Sequence, residues 1–101
     1  MDTGIDLIKA ERQSQIGKHD RSTEHDIARN GNNQLSAAAS LLCSHDWGCM
    51  EEEDVINDHC PLNWDKAWWG RMVRKPYLER LVIAGALIAA EIDRLQYVEP
   101  F

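Results

Sequence analysis

The sequence predicts an all-α fold: a small bundle of about three main helices around an irregular, acidic, tryptophan-containing central segment, assembled as an oligomer. Three observations lead there. Apolar residues recur at spacings of three and four near the N-terminus, in the middle and near the C-terminus. No stretch alternates with period two for long enough to make a strand. The 101 residues, 44% hydrophobic and 28% charged, suit one folded domain over 1–101, with a small stability margin that self-association would widen.

The first helix is expected from about Gly4 to Ile16. Asp2 or Thr3 can cap it, because a short side-chain oxygen accepts from the free N–H groups of the first turn. Ile5, Ile8, Arg12 and Ile16 lie near one face, and Gly17 is a stop signal. A polar segment from His19 to Asn33 reads as loop. The second helix is expected from about Gln34 to Cys43, with Asn32 or Asn33 as cap and Leu35, Ala38, Ala39 and Leu42 as its stripe. Its alanines favour the helix and let a neighbour approach closely. Residues 44–74 are the least regular part, with a short helix over Met50 to Asn57 ended by Pro61.

The third helix starts at Pro76, which fits a first turn because its missing N–H costs nothing there. Leu78, Leu81, Val82, Gly85, Ile88, Ala89, Ile92 and Leu95 make its main stripe. Ile83, Ala84 and Leu87 make a second apolar face, expected to be an oligomer interface because too few helices exist to cover it.

Charge narrows the function. The net charge is −6 and the pI is near 5.1. That balance argues against general nucleic-acid binding and against an anionic membrane surface as partner. The longest apolar run, Leu81 to Ala90, is far short of the roughly 18 residues that span a bilayer. The first residues lack the basic and apolar regions of a secretory signal. A cytoplasmic setting follows, with Cys43, Cys49 and Cys60 as free thiols.

Several constellations could carry chemistry. Between Arg29 and Lys66 there is no Lys or Arg, and the segment holds Glu51, Glu52, Glu53 and Asp54 in a row. Such a run is a solvated surface or a mimic of nucleic-acid phosphates that blocks a basic groove. Beyond it, Trp64, Trp68 and Trp69 interleave with Arg71, Arg74 and Lys75. Aromatic faces stack on bases and guanidinium forks match phosphate oxygens, so these six are the candidate site for a nucleotide-like ligand. The plainer alternative makes the indoles core anchors in a chain with one Phe and two Tyr. Glu11, Glu24, His25, Asp26 and Glu91 could hold magnesium or manganese in a nucleoside-triphosphate pyrophosphatase-like hydrolase. However, Glu11 stands alone on its helix, and helix-surface acids also pair readily with Arg12, Arg80 or Arg94. The His19-Asp20 and His45-Asp46 pairs read more simply as solvated polar residues. Cys43, His45, Cys49, His59 and Cys60 lack the close pairs a zinc site requires.

Five blocks carry a resemblance: Leu7-Ile8-x-Ala10-Glu11-Arg12-x-x-Gln15-Ile16; Glu24-His25-Asp26; Leu35-x-Ala37-Ala38-Ala39; Trp64-x-x-x-Trp68-Trp69; and the run from Leu81-Val82-x-Ala84-Gly85-Ala86-Leu87-Ile88 through Ala90-Glu91-Ile92-x-Arg94-Leu95. In this order they resemble a family of small all-helical proteins common in bacteriophages and prophages. The resemblance implies a helical fold and brings no activity with it. The chain departs from the pattern at Asp20-Arg21, where relatives tend to have Gly-Trp, and at Ile27 and Gln34, where they often have acids. If those acids hold metal in relatives, two ligands are lost here.

The expected function is therefore a phage-type accessory binding protein, a homo-oligomer that sequesters a nucleotide-like ligand or inhibits a host protein, defence components included. It needs no cofactor and leans away from enzyme activity. The alternatives are the magnesium- or manganese-dependent hydrolase and the acidic mimic.

Overall fold

A computed structural model describes residues 1–19 and 22–98, apart from the side chains of Lys18, His19, Glu24 and Val98. These residues form six helices and no strand: α1 Gly4–His19, α2 Thr23–Arg29, α3 Gln34–Leu42, α4 Glu52–Asp58, α5 Lys66–Val73 and α6 Tyr77–Val98. The all-α expectation holds. None of the described helices is long and apolar enough to cross a membrane.

Local chemistry sets the helix starts. Thr3 and Asp6 cap α1 reciprocally, each backbone N–H donating to the other side chain at 3.1 and 3.2 Å. Ser22 Oγ accepts from the His25 N–H and opens α2, a helix inside a stretch that reads as loop. Asp65 opens α5 in the same way, accepting from the Ala67 N–H at 2.9 Å. The expected asparagine cap of α3 is corrected. Asn33 sits at that position with φ of 64° and makes no side-chain cap bond. Gln34 instead ties the turn together, accepting from the Asn32 N–H at 2.7 Å and donating to the Arg29 carbonyl at 3.1 Å.

The long α6 organises the rest. α3, α1 and α2 pack along it, and α4 pairs with α5. One core joins Leu35, Ala38, Ala39 and Leu42 of α3 to Val55, Ile56, Trp69, Met72 and Val73 of α4 and α5, and to Ile83, Ala84, Leu87 and Ala90 of α6. Small side chains on both helices give α3 and α6 their close approach. On the α1 side, Ile8 seats against Gly85: a Cβ there would lie 2.5 Å from Ile8 Cδ1, so only glycine admits α1 at this distance.

Two face assignments are corrected. On α1, Ile5 is 80% exposed and Ile16 is also exposed, while Arg12 and Gln15 are buried. On α6 the faces are exchanged. Ile83, Ala84 and Leu87, expected as an oligomer interface, are 1–6% exposed within the single chain. They belong to the core shared with α3, α4 and α5 and offer no surface to a second copy. The stripe expected to be core holds the exposed residues: Leu78 at 68%, Leu81 and Leu95 at 38%, Ile88 and Ile92 at 47%.

The physical reason lies in three long polar side chains on the inward arc. Arg80 is buried because it clamps the end of α3, donating to the carbonyls of Leu42 (3.0 Å), Ser44 (2.8 Å) and His45 (3.3 Å), and to that of Lys75 (3.2 Å). Its guanidinium also lies over the Trp47 ring. Glu91 and Arg94 are buried as a 2.6 Å ion pair. Hydropathy counts these three as solvent-facing, whereas their bonding lets them face in.

Candidate functional site

The six residues of the aromatic–basic segment do not converge on one site. Trp69 is fully buried, its indole N–H donating to the Val55 carbonyl at 3.0 Å, so its faces are spent on the core. Trp64 and Trp68 are half-buried, with ring centroids 5.2 Å apart and tilted by 50°. Trp64 donates to Asn30 Oδ1 at 2.8 Å and so faces α2. Arg71 is exposed. Arg74 turns to α4, with Nε 3.8 Å from Glu52 and Nη2 3.3 Å from Glu53. Lys75 lies in a groove of about 340 Å³ between α1 and the start of α6, beside Glu11 and Glu79. The void that Trp64 and Trp68 line with Arg12, Gln15 and Asp26 measures about 10 Å³, room for nothing larger than one water.

The residues of the hydrolase alternative fall in a polar layer where α1, α2 and α6 meet. Asp26, 0% exposed, is its centre. Its Oδ1 accepts from Asn30 Nδ2 at 2.8 Å and lies 3.4 Å from His25 Nδ1. Its Oδ2 lies 3.8 Å from the Arg12 guanidinium, which also reaches Asp93 at 3.5 Å. Glu11 accepts from Gln15 at 3.1 Å, and Glu91 is held by Arg94. The Glu24 side chain and the His19-Asp20 pair fall outside the described residues. Each acid described is thus drawn towards a neighbouring amide or guanidinium. Among the described residues, no three His, Cys, Asp or Glu side chains gather as magnesium, manganese or zinc would require. The layer reads as a polar joint that locks α1 and α2 onto α6, although Gln15 Oε1 and Asp26 Oδ2 are buried in it with no hydrogen-bond partner among the described residues.

The Glu51 to Asp54 run is exposed around the first turn of α4. Asp54 accepts from the Glu51 N–H at 3.0 Å, and Glu52 and Glu53 meet Arg74, so part of the run is internal capping and pairing.

What remains is the outward face of α6. Leu78, Leu81, Gly85, Ile88, Ile92 and Leu95 are spaced 3, 4, 3, 4 and 3 apart. That alternation is a heptad seam, with Leu78, Gly85 and Ile92 in one row and Leu81, Ile88 and Leu95 in the other. It runs for about 25 Å at 1.5 Å per residue. The charged residues of α6 up to Tyr97 (Glu79, Arg80, Glu91, Asp93 and Arg94) all lie off it. Ile8 keeps the seam aliphatic at Gly85. Sequence reading found these residues and took them for core; the strict 3–4 alternation is the signal that separates a seam from a broader core face. The chain matches no family model, no curated protein and no solved structure.

Proposed function

We propose that this chain is a small helical binding protein that acts through protein–protein contact, with the outward seam of α6 as its working surface. One observation carries the reading. Five large aliphatic side chains on one helix stripe stay 38–68% exposed while the same chain buries a full core elsewhere. A contiguous apolar stripe of this kind on a folded domain is characteristic of a contact surface. A heptad-spaced seam fits a helix. The nucleotide-sequestering form of the function is set aside, because Trp69, Arg74 and Lys75 face three different surroundings. The bacteriophage resemblance is in keeping with a small accessory protein of this type.

Site-specific photo-crosslinking in expressing cells tests the reading. Benzoylphenylalanine placed at position 88 or 92 should give discrete protein adducts. The same probe at position 36 or 66, both exposed and off the seam, should give none. Equal labelling at all four positions, or none at 88 and 92, overturns it.

A further inference from the structure

We infer that the occupant of the α6 seam is a second copy of this chain, packed antiparallel about a two-fold axis between Gly85 and Ile88. The inference rests on reading the seam as a contact surface, and names its partner. In an antiparallel pair of heptad helices, each row of one helix faces the other row of its mate. With the axis at that point, Leu78 meets Leu95 of the copy, Leu81 meets Ile92, and the position of Gly85, covered by Ile8 of α1, meets Ile88. Every seam position thus finds an apolar mate, with Ile8 supplying the one at Gly85. A two-fold contact uses the same patch twice, so it demands such self-complementarity.

Charge and area agree. The seam carries no charged side chain that would select an oppositely charged partner. The exposures of Leu78, Leu81, Ile88, Ile92 and Leu95 together equal a little over two fully exposed aliphatic residues. At about 200 Å² each, that is roughly 470 Å² per copy and about 950 Å² for the pair, near the apolar share of a standard interface of roughly 1,200–2,000 Å².

Sedimentation equilibrium and cysteine crosslinking test this. The protein should sediment at about twice 11.5 kDa. Ile88→Glu or Ile92→Glu should raise the dissociation midpoint at least tenfold without loss of helical circular dichroism, since both positions are already half-exposed. In a background of Cys43→Ser, Cys49→Ser and Cys60→Ala, the double variant Leu81→Cys/Ile92→Cys should oxidise to a covalent dimer. Either single variant should not, because like positions lie about 16 Å apart along the axis. A monomer throughout, or efficient crosslinking by Leu81→Cys alone, overturns the antiparallel pair. The position-88 adduct separates the two readings. A mass of two copies supports the pair; a mass that includes another protein overturns the pair and leaves the contact surface standing. No adduct overturns both.

Discussion

The exchange of faces on α6 is tested by truncating two adjacent residues. Leu87 is 3% exposed in the core and Ile88 is 47% exposed on the seam. Leu87→Ala removes buried methyl groups and leaves a cavity, a loss of about 2.7–5.0 kcal/mol. For a domain of about 100 residues each kcal/mol is worth about 4–8 °C, so melting should fall by roughly 11–40 °C. Ile88→Ala removes groups that are half in water already, and alanine is the better helix former, so its net cost should stay below about 1 kcal/mol. Urea titration followed by circular dichroism measures both. Concentrations below the self-association midpoint keep the dimer from adding to the Ile88 value. If hydropathy had placed the faces correctly, the order would reverse. Equal costs, or a larger loss for Ile88→Ala, refute the inward assignment of Ile83, Ala84 and Leu87.

Other tests address single contacts. Arg80→Met keeps the stem but leaves the Leu42 and Ser44 carbonyls without their charged donor, so stability should drop by about 2–4 kcal/mol; a wild-type urea midpoint would remove the clamp from the account. Gly85→Ala gains about 1 kcal/mol of helix propensity but forces Ile8 aside, an overpacking cost of about 1–3 kcal/mol, and the net loss should be recovered by adding Ile8→Val. Failure of that rescue would show that α1 does not sit on Gly85. Burial pushes the Cys60 thiol up, against the lowering effect of Lys66 and with a smaller push from Asp65. Cys60 therefore holds less thiolate than an ordinary thiol near about pH 8, and should alkylate after the exposed Cys43 and Cys49, catching up only as the pH rises. Equal rates by mass spectrometry at that pH would contradict its placement.

The parts of the fold legible in the sequence are those where one local rule dominates. α1 announces itself through Thr3, α3 through its alanines and α6 through Pro76 and five turns of periodicity. α4 shows itself through the acids of its first turn, but α2 and α5, with seven and eight residues, have too few turns to show a period. Their signals lie in single cap residues, Ser22 and Asp65, that resemble ordinary loop polarity. The polar layer was hidden for another reason. Arg12, Gln15, Asp26 and Asn30 come from two helices, and nothing in a one-dimensional pattern says that their side chains meet. The residues of the candidate nucleotide site do not converge because neighbours in sequence on α5 point to different surroundings: Trp69 inward to the core, Arg71 outward to solvent.

Salt dependence bears on what occupies the seam, because its sign differs between partners. Each copy carries a net charge of −6. A compact body with a radius of gyration of 13.4 Å has an outer radius of about 17 Å, so two copies in contact have centres about 35 Å apart. In water, two such charges at that distance repel by about 4 kcal/mol without screening. At an ionic strength of about 0.05 M the Debye length is roughly 14 Å and about 0.4 kcal/mol survives; at about 0.5 M almost none does. A seam of uncharged side chains adds no attraction for salt to screen. Self-association should therefore tighten about twofold across that range. A basic partner, held by the acidic run at Glu51 to Asp54, would show the opposite sign and loosen with salt. Sedimentation at the two ionic strengths reads the difference directly. Weakening with salt would mean that attraction between charges, rather than contact between aliphatic stripes, holds the assembly together.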